Sequence, residues 1–203
     1  MDIAFIGVKQ SWIDFIKLFT HYKYYEEQIL KIPEETLNTL FQAFKYFELN
    51  ETKVIIIGQD RYPTPGMANG LAFGVSSTYP GPLPPSMINI QKCLEPITTN
   101  LDTSLVPWAE QGVLLLNTYL TTTKDKYWLM FIREFLIRLQ PLLNNIPIFL
   151  WGTHAKKLAP CCTNFNIMYF GHPSPLNRAN LTDSPAHFKN CPHFEKTKHL
   201  ITW

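Results

Sequence analysis

The stretch "VIIIGQDRYP", Val54 to Pro63, decides how the chain is read. Four β-branched apolar residues run without alternation into Gly58, and Gln59, Asp60, Arg61 and Tyr62 crowd in behind them. A short unbroken apolar run closed by glycine is the mark of a strand covered on both faces. Three further runs have the same character: "VLLL" (113–116), "IPIFLW" (146–151) and "IMYF" (167–170). Each ends in small or polar residues: Asn117-Thr118, Gly152-Thr153-His154 and Gly171-His172-Pro173-Ser174.

Helical spacing fills the intervals. Trp12, Phe15, Ile16 and Phe19 recur on one face, with Ser11 and Asp14 placed as a capping box. Leu37, Leu40, Phe41 and Phe44 repeat the pattern after Pro33. Met87, Ile90 and Leu94 follow Ser86, a good N-cap, and Trp128, Phe131, Ile132, Phe135 and Leu139 mark a longer helix. Strands alternating with helices imply an α/β fold: a central four-stranded, mainly parallel sheet flanked by helices on both faces. The 203 residues suit one domain, 1–203, with a sizeable core.

Composition narrows the classes. Apolar residues make up 46% and aromatics 14%, as in an ordered globular chain, and the formal charge of +2 neither demands nor excludes a polyanionic partner. No run approaches the length that spans a bilayer. The opening "MDIAFIGVKQSW" has an acid at position 2 and does not read as a secretory signal. Cys93, Cys161, Cys162 and Cys191 form no C-x-x-C pair and are expected as reduced thiols inside a cell.

In open parallel sheets, ligands bind beyond the carboxyl ends of the strands. If the four strands are neighbours, Gln59, Asp60, Asn117 and His172 converge there. Taken singly, such residues are more often caps, turns or structural histidines. Four polar endings on four strands favour a shared pocket without naming a reaction.

The stretches "GQDRYPTPGMANGLAFGV" (58–75), "LPPSMINI" (83–90), "PWAEQGVLLLN" (107–117), "FLWG" (149–152) and "GHPSPLN" (171–177) resemble, in order, the motifs of family 1 uracil-DNA glycosylases. The resemblance implies hydrolysis of the N-glycosidic bond of uracil in DNA, the first step of base-excision repair, with neither metal nor cofactor. It implies Asp60 as the carboxylate beside the sugar and His172 as the donor to the uracil O2. Phe73 matches the aromatic that stacks on the extruded base, and Asn117 the amide that reads its polar edge. Tyr62 matches the residue that crowds C5, and Gln59 lines the pocket through its backbone. Pro84, Pro85 and Ser86 match a loop that pinches the DNA backbone. Ser174 and Pro175 match a second contact loop, and Leu176 the apolar wedge that fills the vacated stack. The partner implied is uracil-containing DNA, single- or double-stranded. The chain is expected to be monomeric and intracellular: cytoplasmic in a bacterium, nuclear or at a viral replication site in an infected cell. A proteinaceous inhibitor or a replication partner is the remaining partner class.

The sequence departs from the family's common G-Q-D-P-Y-H at two places. Pro63 is a substitution that some members carry. Arg61 replaces a proline that stiffens the backbone. It can pair with Asp60 or point outward to a DNA phosphate, and the alternation of an extended segment favours the second. The loop 177–190 is longer than usual and 121–130 shorter. Three other readings compete: a weakly active or inactive relative serving as a DNA-binding or replication-accessory subunit; a zinc site of His187, Cys191, His193 and Cys161 or Cys162, at spacings unlike standard modules; and a nucleotide-binding loop at "PGMANG", which lacks the usual fingerprints.

Overall fold

The computed structural model describes residues 2–182 and 184–203. Met1 and Asp183 lie outside the described residues, and with Asp183 goes one position of the long 177–190 loop. Strands β1 (Val54–Gly58), β2 (Val113–Asn117), β3 (Pro147–Trp151) and β4 (Asn166–Phe170) coincide with the four apolar runs. Their order is β2-β1-β3-β4 and every pairing is parallel, where the sequence implied mainly parallel. Gly58 lies opposite Asn117, Ile57 opposite Leu150 and Trp151 opposite Phe170, so all four strands end at one edge.

The α-helices are α1 (Gln10–Lys17), α2 (Tyr22–Ile29), α3 (Glu34–Leu40), α4 (Pro85–Leu94), α5 (Val106–Glu110), α6 (Lys126–Leu139), α7 (Gly152–Lys156) and α8 (His193–Thr197). The helix α6 buries Trp128, Phe131, Ile132, Phe135, Leu136 and Leu139, a full apolar stripe. Its Phe135 meets Trp12, Phe15 and Phe44, joining the amino-terminal helices to α6 through ring contacts. A second aromatic cluster packs on β3, where Phe149 and Trp151 touch Phe194 and His193. No helix among the described residues is long and apolar enough to cross a membrane.

Several local expectations are corrected. Ser11 and Asp14 do not form a capping box: the N-cap of α1 is Lys9. The Ser11 hydroxyl instead donates to Glu48 and accepts from the Leu49 N–H at 2.8 Å. The capping box belongs to Glu48 and Glu51, around a tight turn at Leu49–Glu51. Phe19 falls beyond the end of α1, and Phe41 and Phe44 beyond the end of α3, yet all three are buried. The N-cap of α4 is Pro84, with Pro85 at the first helical position and Ser86 inside the first turn. Finally, β4 is an edge strand, not covered on both faces: Asn166 and Tyr169 are exposed.

All four cysteines are free and buried. The zinc alternative fails on the histidines. His193 Nδ1 accepts from Trp151 Nε1–H at 3.0 Å, which leaves the Nε2 proton to face the Tyr169 carbonyl at 3.3 Å. His187 Nδ1 accepts from the Lys189 N–H at 2.9 Å. No group of three or more potential ligands is placed to hold a metal among the described residues.

Candidate active site

Beyond the carboxyl edge of the sheet opens a cavity of about 650 Å³. Gln59, Asp60 and Tyr62 enter it after β1, Asn117 from the last position of β2, and His172 after β4. Phe73, Ser86, Ser174 and Leu176 complete the set that the sequence placed together. Pro84, Pro85 and Pro175 are not part of its lining.

The backbone is shaped so that these side chains meet. A Cβ on Gly58 would stand 2.2 Å from Asn117 Oδ1 and 2.9 Å from the Ala72 Cβ, so the amide lies where any other residue would put a methyl group. Gly152, at φ +83°, leaves room for His172, whose Cβ would be 2.8 Å from an added one. Replacing Gly58 with Ala is therefore expected to cost about 1–3 kcal/mol of stability, as overpacking does, and to push the Asn117 amide aside. Urea denaturation of the variant reads the first effect.

Asn117 is 3% exposed, yet its amide has no hydrogen-bond partner among the described residues. The amide lines the cavity and can accept and donate side by side. Phe73 holds φ +65°, a strained conformation for an aromatic residue. Its ring lies 5.8 Å from the His172 imidazole and 5.4 Å from Trp151, forming an aromatic wall. The Tyr62 hydroxyl donates to the Phe73 carbonyl at 3.0 Å and lies 3.2 Å from Ser86 Oγ, and burial pushes its pKa up to about 12. That phenol stays protonated and fixes the wall. Gln59 offers its carbonyl to the Tyr119 N–H at 2.9 Å, which ties the β1 and β2 ends together.

His172 has a defined protonation state. Its Nδ1 accepts from the Ser174 N–H at 3.0 Å, which requires a lone pair there. Burial holds its pKa below the ordinary histidine value, against the opposing pull of the Asp60 charge. The ring is neutral near pH 7, with its one proton on Nε2. The loop that carries it is braced from the long segment 177–190: Asn180 Nδ2 donates to the carbonyls of His172 at 2.7 Å and Ser174 at 2.9 Å. Leu176 stands out of this braced turn, 94% exposed.

Arg61 takes neither course that the sequence allowed. It turns toward α3, where its guanidinium donates to Thr39 Oγ1 at 2.7 Å and to the Thr39 carbonyl at 3.4 Å. A cation at a helix carboxyl end is favourably placed. Side-chain anchorage thus holds the segment that proline rigidity holds elsewhere. Asp60 pairs instead with Lys124, Nζ to Oδ2 at 2.7 Å. Sequence reading missed that lysine, because nothing local to "TTTKD" marks it; only the shortness of its loop drew notice.

Fold and cavity together define a parallel-sheet α/β protein whose cavity, at the carboxyl edge of the sheet, is lined by an aromatic wall, a carboxylate and a neutral imidazole. The family model of the Uracil DNA glycosylase superfamily matches residues 44–195. The uracil-DNA glycosylase of Francisella tularensis subsp. tularensis (strain WY96-3418) is 36% identical over 188 residues, covering 85% of this chain and 84% of that protein. Those of Equine herpesvirus 1 (strain Ab4p) and Dictyostelium discoideum are 35% and 39% identical, covering 80% and 81% of this chain. The chain spans about half the length of these last two relatives, 53% and 49%. Among solved structures, mimivirus UNG Y322L in complex with UGI superposes with a TM-score of 0.78 at 22% identity, over 98% of this chain and 86% of that one. UNG from Nitratifractor salsuginis gives 0.64 at 21% identity, over 98% and 94%. The chain belongs to the uracil DNA glycosylase superfamily.

Proposed function

We propose that the chain hydrolyses the N-glycosidic bond of uracil in DNA, releasing uracil and leaving an abasic site at the start of base-excision repair. The observation that carries this is the Asn117 amide, which has no hydrogen-bond partner among the described residues and lines the same cavity as the Asp60 carboxylate and the His172 imidazole. Uracil has a ring N–H flanked by carbonyls, which one amide satisfies with an acceptor and a donor; cytosine would leave that pairing frustrated.

The base must first leave the stack. Phe73 stacks on it, and Tyr62, locked to Phe73 and Ser86, crowds C5 so that a methyl group is refused. Leu176 fills the space vacated in the duplex. Pro84, Pro85, Ser86, Ser174 and Pro175 hold the DNA backbone on either side. The C1′–N1 bond then breaks with both electrons passing to the base. Positive charge grows on the sugar, and Asp60 stabilises it and orients the attacking water. Negative charge grows on O2, and the neutral His172 donates its Nε2 proton as a hydrogen bond. Water adds to C1′ and gives up a proton through Asp60 to solvent, and the uracil anion takes one up from solvent, which completes the hydrolysis without metal or cofactor.

The partners of this reading are uracil-containing DNA, single- or double-stranded, and a proteinaceous inhibitor of the kind represented by UGI on mimivirus UNG. The protein acts as a monomer inside the cell and has no membrane role. Uracil release from a uracil-containing oligonucleotide in the presence of EDTA tests it. Release is expected to persist with the chelator and to weaken steeply as salt rises. Clean folding with DNA binding but no release would assign the chain an accessory role instead.

A further inference from the structure

Lys124 has no part in the chemistry above, yet its ammonium occupies the group that the chemistry needs. It stands on the turn between β2 and α6, and that turn is tied down. The Thr121 hydroxyl accepts from the buried Trp128 Nε1–H at 2.9 Å and faces the Thr123 carbonyl at 3.0 Å. The Thr123 hydroxyl donates to Asp125 Oδ2 at 2.6 Å. From this base Lys124 reaches over the cavity to Asp60 Oδ2 at 2.7 Å. Asp60 is the one carboxylate among the described residues that line the cavity.

The pair cannot persist through the reaction. The sugar beside Asp60 becomes cationic as the bond breaks, and an ammonium on the same carboxylate would both cancel its field and repel the developing charge. Nor is the pair a stability device: the lysine side chain is 54% exposed and the carboxylate 31%, and pairs so open to water contribute little. The lysine is cheap to release, and its long flexible stem can follow a new partner. A DNA strand entering the cavity brings that partner, since the extruded nucleotide carries a phosphate on each side.

We propose that Lys124 is a substrate-exchanged counter-ion. In the DNA-free protein it neutralises Asp60, so that the bare carboxylate does not repel an incoming polyanion. In the complex it moves to a phosphate flanking the extruded nucleotide and uncovers Asp60 as the sugar arrives. The proposal rests on the glycosylase reading and assigns the lysine a binding role on the DNA strand.

Steady-state uracil release from a single-stranded oligonucleotide, measured over a salt series, tests it with wild type, Lys124→Met and Lys124→Arg. For the Met variant the effect is expected on KM and not as a lowered kcat. Its slope of log KM against log salt should be shallower by about 0.7, the value of one lost phosphate contact on a single strand. Between 50 and 200 mM salt its KM would then rise about 2.6-fold less than that of wild type. The Arg variant should keep the wild-type slope. A lowered kcat with an unchanged slope would overturn the proposal and make Lys124 a fixed positioning group for Asp60. No change in either quantity would also overturn it, leaving an idle surface pair. Absence of release by wild type would instead sink the parent reading, and is seen before any variant is made.

Discussion

Asp60→Asn is expected to slow single-turnover uracil release by about 10²–10⁴-fold, the range over which a positioned acid–base group acts. The substitution keeps the shape of the side chain and removes its charge. An amide can still hold a water by hydrogen bonding, but it cannot oppose the positive charge that grows on the sugar. Asp60 is partly exposed and its partner Lys124 more so, so losing that ion pair should leave thermal stability nearly unchanged. A melting curve beside the kinetic trace separates the two effects. A variant within tenfold of wild type would remove Asp60 from the chemistry.

His172→Ala is expected to cost about 10²–10³-fold in kcat, the loss typical of one donor to a developing oxyanion. The pH dependence carries the more searching test. Burial lowers the His172 pKa, and Nδ1 is already occupied as an acceptor from the Ser174 N–H. A depressed histidine pKa means that the folded protein favours the neutral ring. Wild-type rate should therefore hold as pH falls through about 6.5, where an ordinary histidine is half protonated. It should decline only at lower pH, when a proton forced onto Nδ1 faces the Ser174 N–H. A rate that climbs on acidification through that window would mean that imidazolium, and not imidazole, does the work. His172→Gln, which supplies a neutral donor, should recover part of the loss.

The strands were legible because burial on both faces writes itself as an unbroken apolar run, and because a glycine or asparagine closes each run where side chains must turn inward. "VIII" and "VLLL" leave no ambiguity of that kind. The edge position of β4 was not legible, since "IMYF" is as apolar as the others and its neighbours alone determine what covers it. Hydroxyl groups misled for a related reason. Ser11 looked like a cap, but a carboxylate 37 residues away offered a better partner. Ser86 looked like a cap too, but the prolines before it start the helix, and its hydroxyl is turned to Tyr62. Gln59, Asp60, Asn117 and His172 were legible as a set because each closes or follows a strand, whereas Tyr62, Phe73, Ser86, Ser174 and Leu176 joined them only through the family resemblance. The partners of the charged groups were not legible: Arg61 finds the Thr39 hydroxyl and Asp60 finds Lys124 across separate segments, and no local pattern records such encounters.

The strand order carries one more consequence. Asp60 follows β1 and His172 follows β4, with β3 between them. Neighbouring strands lie about 4.8 Å apart, so the two chain exits stand roughly 10 Å from each other. The sheet works as a ruler, graduated by main-chain hydrogen bonds that no side-chain substitution rewrites. On the proposed glycosylase reading, it sets the separation between the carboxylate that meets the growing positive charge and the imidazole that meets the negative one. Loops can gain and lose residues around that ruler, and an arginine can stand in for a proline beside it, while the distance between the opposed charges stays the same.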